Sequence, residues 1–107
     1  MEKINLPATA KYLNKVCYEY RKPGLILSKF APMRFFEEEA NANTVMCTIY
    51  RDTSYGKTSM FNAVFGLSLN EDIFTVEPIG CDCPDALDLE KTLQDAASVI
   101  TTMLMEP

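Results

Sequence analysis

The chain contains no histidine and no tryptophan. Without an imidazole there is no Ser-His or Cys-His nucleophile and no His-ligated metal site, so the commonest catalytic routes are closed. The first residues, Met1-Glu2-Lys3-Ile4-Asn5-Leu6-Pro7, lack the apolar run of about 7 to 15 residues that an export signal needs. Nowhere do about 18 uncharged apolar residues follow one another, which excludes a membrane-spanning helix. These absences predict a cytoplasmic protein with no membrane attachment, whose four cysteines (Cys17, Cys47, Cys81 and Cys83) are thiols rather than disulfides. Cys17 and Cys47 lie within apolar patterns and read as small core residues.

Basic residues are scarce beyond the first third. Residues 1–34 carry a balance of +5 and residues 35–107 a balance of −10, which together make the net charge of −5. From Glu71 to Glu106 there are nine acids and one base. Such a surface disfavours phosphate binding, which Lys and Arg drive by counterion release, so no direct contact with nucleic acid is expected. It favours a basic protein partner.

What is present is one domain's worth of patterned chain: 107 residues, 48% of them hydrophobic. Leu6, Ala10, Leu13, Cys17 and Tyr20 recur at steps of three and four, predicting a helix over about 7–21 that Pro23-Gly24 stops. From 25 to 79 the period falls to two. Val45, Cys47 and Ile49 alternate over 44–51, and Phe61, Ala63, Phe65, Leu67 and Leu69 alternate over 58–69. A hairpin through Asp52 to Lys57 joins these two strands. Leu25 to Phe30 and Ile73 to Val76 are further strands, and residues 33–39 lean towards β.

The helical period returns with Ala86, Leu89, Leu93, Ala96, Ile100 and Met103, predicting a C-terminal helix of about 20 residues. Pro84 suits its first turn, and Asp82, Asp85 and Asp88 complement the positive end of its dipole. The fold class that satisfies these patterns is α+β: a two-layer domain with an N-terminal helix, a four- or five-stranded mostly antiparallel sheet and a long C-terminal helix.

Three motifs invite chemistry. Tyr55-Gly56-Lys57-Thr58-Ser59 ends like a phosphate-binding loop, but Arg51 stands where the motif's first glycine belongs, and a hairpin turn with Gly56 at positive φ fits better. Glu37-Glu38-Glu39 and Glu71-Asp72 are consecutive acids, whose side chains on a strand would point to opposite faces, so they read as solvated edges. Cys81-Asp82-Cys83 places two thiols just before a helix N-terminus, a setting that can support redox or soft-metal chemistry. A structural zinc site would need two more ligands than this pair supplies.

The leading expectation is therefore a non-catalytic protein-binding module, a small acidic adaptor, chaperone or inhibitor without a cofactor. It would dock a partner with a basic surface through the C-terminal helix face, with Asp85, Asp88, Glu90 and Asp95 as contact residues. Homodimerisation through that helix would use the same apolar surplus. The profile is similar, in composition and topology alone, to those of bacterial secretion chaperones, immunity proteins and phage-encoded inhibitors. The alternatives are a small-ligand, metal or thiol-redox site at Cys81 and Cys83, and a structural accessory domain of a larger complex or a bacterial or phage protein of another kind.

Overall fold

The computed structural model describes residues 3–33, 43–52, 56–83 and 88–106. Helix α1 (Leu6–Val16) starts at Asn5, whose side-chain oxygen accepts a hydrogen bond from the Ala8 amide, and Pro7 sits in the first turn where its missing N–H is harmless. The expected helix over 7–21 is shorter as an α-helix. It tightens into a 3-10 turn over Cys17–Glu19, in which the Tyr20 amide bonds the Cys17 carbonyl. Gly24, at φ 77°, then reverses the chain into the sheet.

The strands β1 (Leu25–Met33), β2 (Asn43–Asp52), β3 (Thr58–Asn70) and β4 (Ile73–Cys81) form one antiparallel sheet in the order β1-β2-β3-β4. Short connections make this meander the simplest solution, because each strand pairs with the next in sequence. Glu71 and Asp72 form the two-residue β3–β4 turn, both at positive φ, the conformation that matches the right-handed twist of a tight hairpin. Gly56 is also at positive φ, as a turn between β2 and β3 requires, while Thr58 and Ser59 begin β3 rather than a helix. The strand-to-helix junction of a phosphate-binding loop is therefore not built there. Ile73–Val76 proves to be the first half of a longer strand, since an edge strand tolerates Pro78. Met33 ends β1, and the rest of the strand expected over 33–39 lies outside the described residues.

Helix α2 (Leu89–Met105) runs for 17 residues, with Asp88 before it in the left-handed region and making no side-chain cap. Pro84, Asp85 and Ala86 lie outside the described residues. Both helices cover the same face of the sheet, α1 along β1 and α2 along β4. Leu13 and Ala10 from α1 and Ala96, Val99, Ile100 and Met103 from α2 close over Leu27, Val45, Cys47, Ile49, Phe61, Ala63 and Phe65. Tyr12 and Tyr20 send their hydroxyls to the carbonyls of Met103 and Glu106, tying the two helices together at their ends.

One irregularity in β1 is tied to α1. Lys29 sits at φ 55° as an extra residue, which shifts the register between Ser28 and Ala31 and lets Phe30 still point into the core. The amide of Asn14 receives the Phe30 N–H at 2.6 Å and donates to the Phe30 carbonyl at 2.7 Å, so both backbone groups of that residue are satisfied from the helix. Among the described residues, no helix is long and apolar enough to cross a membrane.

Candidate functional site

The acids singled out in sequence do not form one surface. Asp88 and Glu90 are exposed at the start of α2, Asp85 lies outside the described residues, and Asp95 is half-buried. Lys22 and Lys91 each approach Asp95 to 3.7 Å. Asp95 borders a depression of about 410 Å³ in which Lys22, Arg51 and Lys91 face Asp52, Asp88 and Asp95. Three cations there offset three acids, so the local field does not single out a basic partner. Nor does α2 retain a broad apolar margin. Ala96, Ala97, Val99, Ile100 and Met103 are all buried within the domain, and Leu93 and Leu104 pack against the same core.

The thiols divide as the apolar patterns suggest. Cys17 and Cys47 are buried, and all four cysteines are in thiol form. Burial pushes the Cys17 thiol up, and pushes that of Cys47 up to about 12, with the neighbouring Cys17 adding to the effect. Both stay protonated at neutral pH and are poor nucleophiles. Cys81 is exposed at the end of β4, whereas half-buried Cys83 receives a hydrogen bond from Arg51 Nη2 at 3.7 Å. Between them Asp82 turns the other way. Its carboxylate accepts the Asn62 backbone N–H at 2.6 Å and the Asn62 side-chain amide at 3.3 Å. Among the described residues, no three His, Cys, Asp or Glu side chains converge as a metal site.

The surface that stands out is one the sequence reading did not select: the sheet face turned away from the helices. Its residues run in ladders across the strands. Ile26, Tyr50 and Met60 are cross-strand partners in one ladder; Ser28, Thr48 and Asn62 form the next; Ala31, Met46 and Val64 form the third. Ile26 is 41% exposed, Met60 61% and Ile79 54%. Ile79 is the bulged residue of β4, and its side chain lies over Gly66, where a Cβ would meet the Ile79 Cδ1 at 3.2 Å. Gly66 thus makes room for an isoleucine on the open face.

None of these three ladders contains a charged side chain, while Asp52, Glu77 and Asp82 stand around them. Two uncharged ladders of mainly apolar side chains, Met and Tyr among them, on either side of a neutral polar row match the composition of a protein contact surface better than that of a sheet face built only for water. The polar ladder is internally satisfied as well. Thr48 Oγ1 donates to Asn62 Oδ1 at 2.9 Å, and the Asn62 amide is held by Asp82. Asp82 continues the row on β4, its amide donating to the Asn62 carbonyl at 3.0 Å, so an exposed carboxylate stands at the end of the polar ladder.

Both sheet edges are blunted. β1 carries the Lys29 bulge and Pro32, and β4 carries Pro78 and the Ile79 bulge. Proline and bulges deny a neighbouring chain a straight row of hydrogen-bonding groups. The signal for the open face was present in sequence as the uncharged residues alternating with the core, Met46, Thr48 and Tyr50 in β2 and Met60, Asn62, Val64, Gly66 and Ser68 in β3. Ordinary half-exposed strands place charges at such positions. No protein-family model, curated protein or solved structure gives a significant match to this chain.

Proposed function

We propose that the protein is a non-catalytic protein-binding module that acts through the open face of its sheet. The observation that carries this reading is the uncharged ladder pattern bearing exposed Ile26, Met60 and Ile79. Burial of such side chains contributes about 25 cal/mol per Å² of apolar area removed from water, and the carboxylate nearest the patch, Asp82, already accepts two hydrogen bonds from Asn62. The exposed carboxylates of Asp88 and Glu90 lie on the opposite layer. They support a secondary reading, in which a basic protein is attracted to that side without the helix supplying a large apolar contact.

Site-specific photo-crosslinking inside the producing cell separates the two faces. A photoreactive side chain at position 60 is expected to give protein adducts, and the same group at exposed Ser98 on α2 is expected to give few. Adducts from Ser98 alone, or from neither position, would contradict the assignment to the sheet.

A further inference from the structure

We infer that the occupant of the open face is a basic protein surface, in which lysine or arginine side chains alternate with apolar ones. The inference rests on the reading of that face as a protein-binding surface and names the chemistry of its partner. The order of side chains along the β3–β4 half carries it. Asp82 stands beside Asn62, and Glu77 is the cross-strand partner of Gly66. Met60 lies two residues before Asn62, and Ile79 covers Gly66 between the two carboxylates. An apolar group, an acid, a second apolar group and a second acid follow one another. The acids stand opposite β3 positions four residues apart, a separation of roughly 13 Å.

Charge on this half has one sign. Residues 58–90 contain seven acids and no lysine or arginine. Glu77 and Asp82 are both exposed, whereas Lys57 precedes β3 and Lys91 approaches Asp95 on α2. Arg21 borders Ile26 at the opposite corner of the face, and Lys29 sits in the bulge of β1. A partner is therefore oriented as well as attracted, with its cations towards β4. Asp52, the remaining acid at the margin, accepts a hydrogen bond from Thr58 Oγ1 at 3.3 Å and shares a depression with Lys22, Arg51 and Lys91, so it adds little to that half.

Asp82 makes the requirement sharper. A carboxylate offers about four lone-pair sites, and the backbone and side-chain amides of Asn62 fill two of them. The group is held in place with acceptor sites left over for an incoming ammonium or guanidinium. Covering Met60 and Ile79 with a neutral or acidic surface would strip water from Asp82 without replacing it, a cost that an opposing cation offsets.

Photo-crosslinking from position 60 in the producing cell, repeated with two charge reversals, tests the inference. Glu77→Lys and Glu90→Lys each raise the net charge by two, from −5 to −3, but the first lies on the open face and the second on α2. Both side chains are exposed, so circular dichroism should show an unchanged fold. Adduct yield is expected to fall at least about fivefold with Glu77→Lys, because a lysine then opposes the partner's cation, and to change less than about twofold with Glu90→Lys. Mass spectrometry of the crosslinked partner segment should find more lysine and arginine than aspartate and glutamate.

Equal losses from the two reversals, or no loss from Glu77→Lys, would overturn the inference, and so would an acidic partner segment. Adducts to a second copy of this chain or to a neutral surface would keep the binding module and replace its partner. No adducts from position 60, with neither reversal present, would remove both readings.

Discussion

Phe65→Ala is expected to lower the unfolding free energy by about 3–5 kcal/mol, measured by urea denaturation, with far-UV circular dichroism as the signal. Phe65 is fully buried at the middle of β3, the longest strand, and its neighbours across the sheet are Val45 on β2 and Pro78 on β4. Truncation removes a ring from the layer where the sheet meets the helices. The backbone there is paired on both sides, so it cannot move in to fill the space, and the cost combines lost transfer energy with a residual cavity. Against a total of about 5–15 kcal/mol for a domain of this kind, that loss leaves a marginal protein. Leu69→Ala, four residues further along the same face but only half-buried, should cost markedly less. Equal losses at the two positions would show that the core is not centred where the fold places it.

Arg51→Ala is expected to cost about 2–4 kcal/mol, which is unusual for removing a strand cation. The side chain is only 5% exposed. Its Nη1 donates to Thr92 Oγ1 at 3.0 Å, its Nη2 donates to Cys83 Sγ at 3.7 Å, and its guanidinium lies 5.5 Å from the centre of the Phe61 ring. One residue thereby joins β2, β3, α2 and the segment that follows β4. Hydrogen bonds from a charged donor contribute about 1.5–3 kcal/mol and a desolvated cation–π contact about 1–2 kcal/mol, although the terms overlap. Arg51→Lys should recover little, because a single ammonium cannot reproduce the planar fork that reaches two partners at once. A double-mutant cycle with Thr92→Val should show a coupling of about 1 kcal/mol or more, and additive effects would mean that the 3.0 Å contact contributes nothing.

Much of the fold was legible because burial imposes its period on the chain. Val45, Cys47 and Ile49, and Phe61, Ala63, Phe65 and Leu67, are buried as their alternation implies. Leu13, Ala96, Ile100 and Met103 are buried as helical stripes. What local pattern could not supply came from contacts distant in sequence. The Lys29 bulge depends on Asn14, sixteen residues earlier and on another element, to satisfy the Phe30 backbone. The acids of α2 looked like a unit because they are close in sequence. Lys22, at the far end of the chain, reaches Asp95 and divides them. The open face was hidden for a related reason. Met60, Tyr50 and Ile26 look like unrelated exposed residues until the register makes them neighbours in one ladder. The absence of charge between the core positions of β2 and β3 was readable from the start. Its meaning depended on knowing that both helices cover the other face.

Methionine oxidation measures burial of the open face directly in the unaltered protein, because two exposed methionines report on the two layers. Met60, on the sheet face, is 61% exposed in the single chain, and Met105, at the end of α2, is 41% exposed. Thioether oxidation by hydrogen peroxide follows exposure. Peptide mass spectrometry after a brief peroxide pulse should find Met60 oxidised more slowly than Met105 inside the producing cell, where the face is occupied, and faster than Met105 in the purified chain. If Met60 instead oxidises faster than Met105 in the cell as well, the sheet face is open to water and the central claim fails.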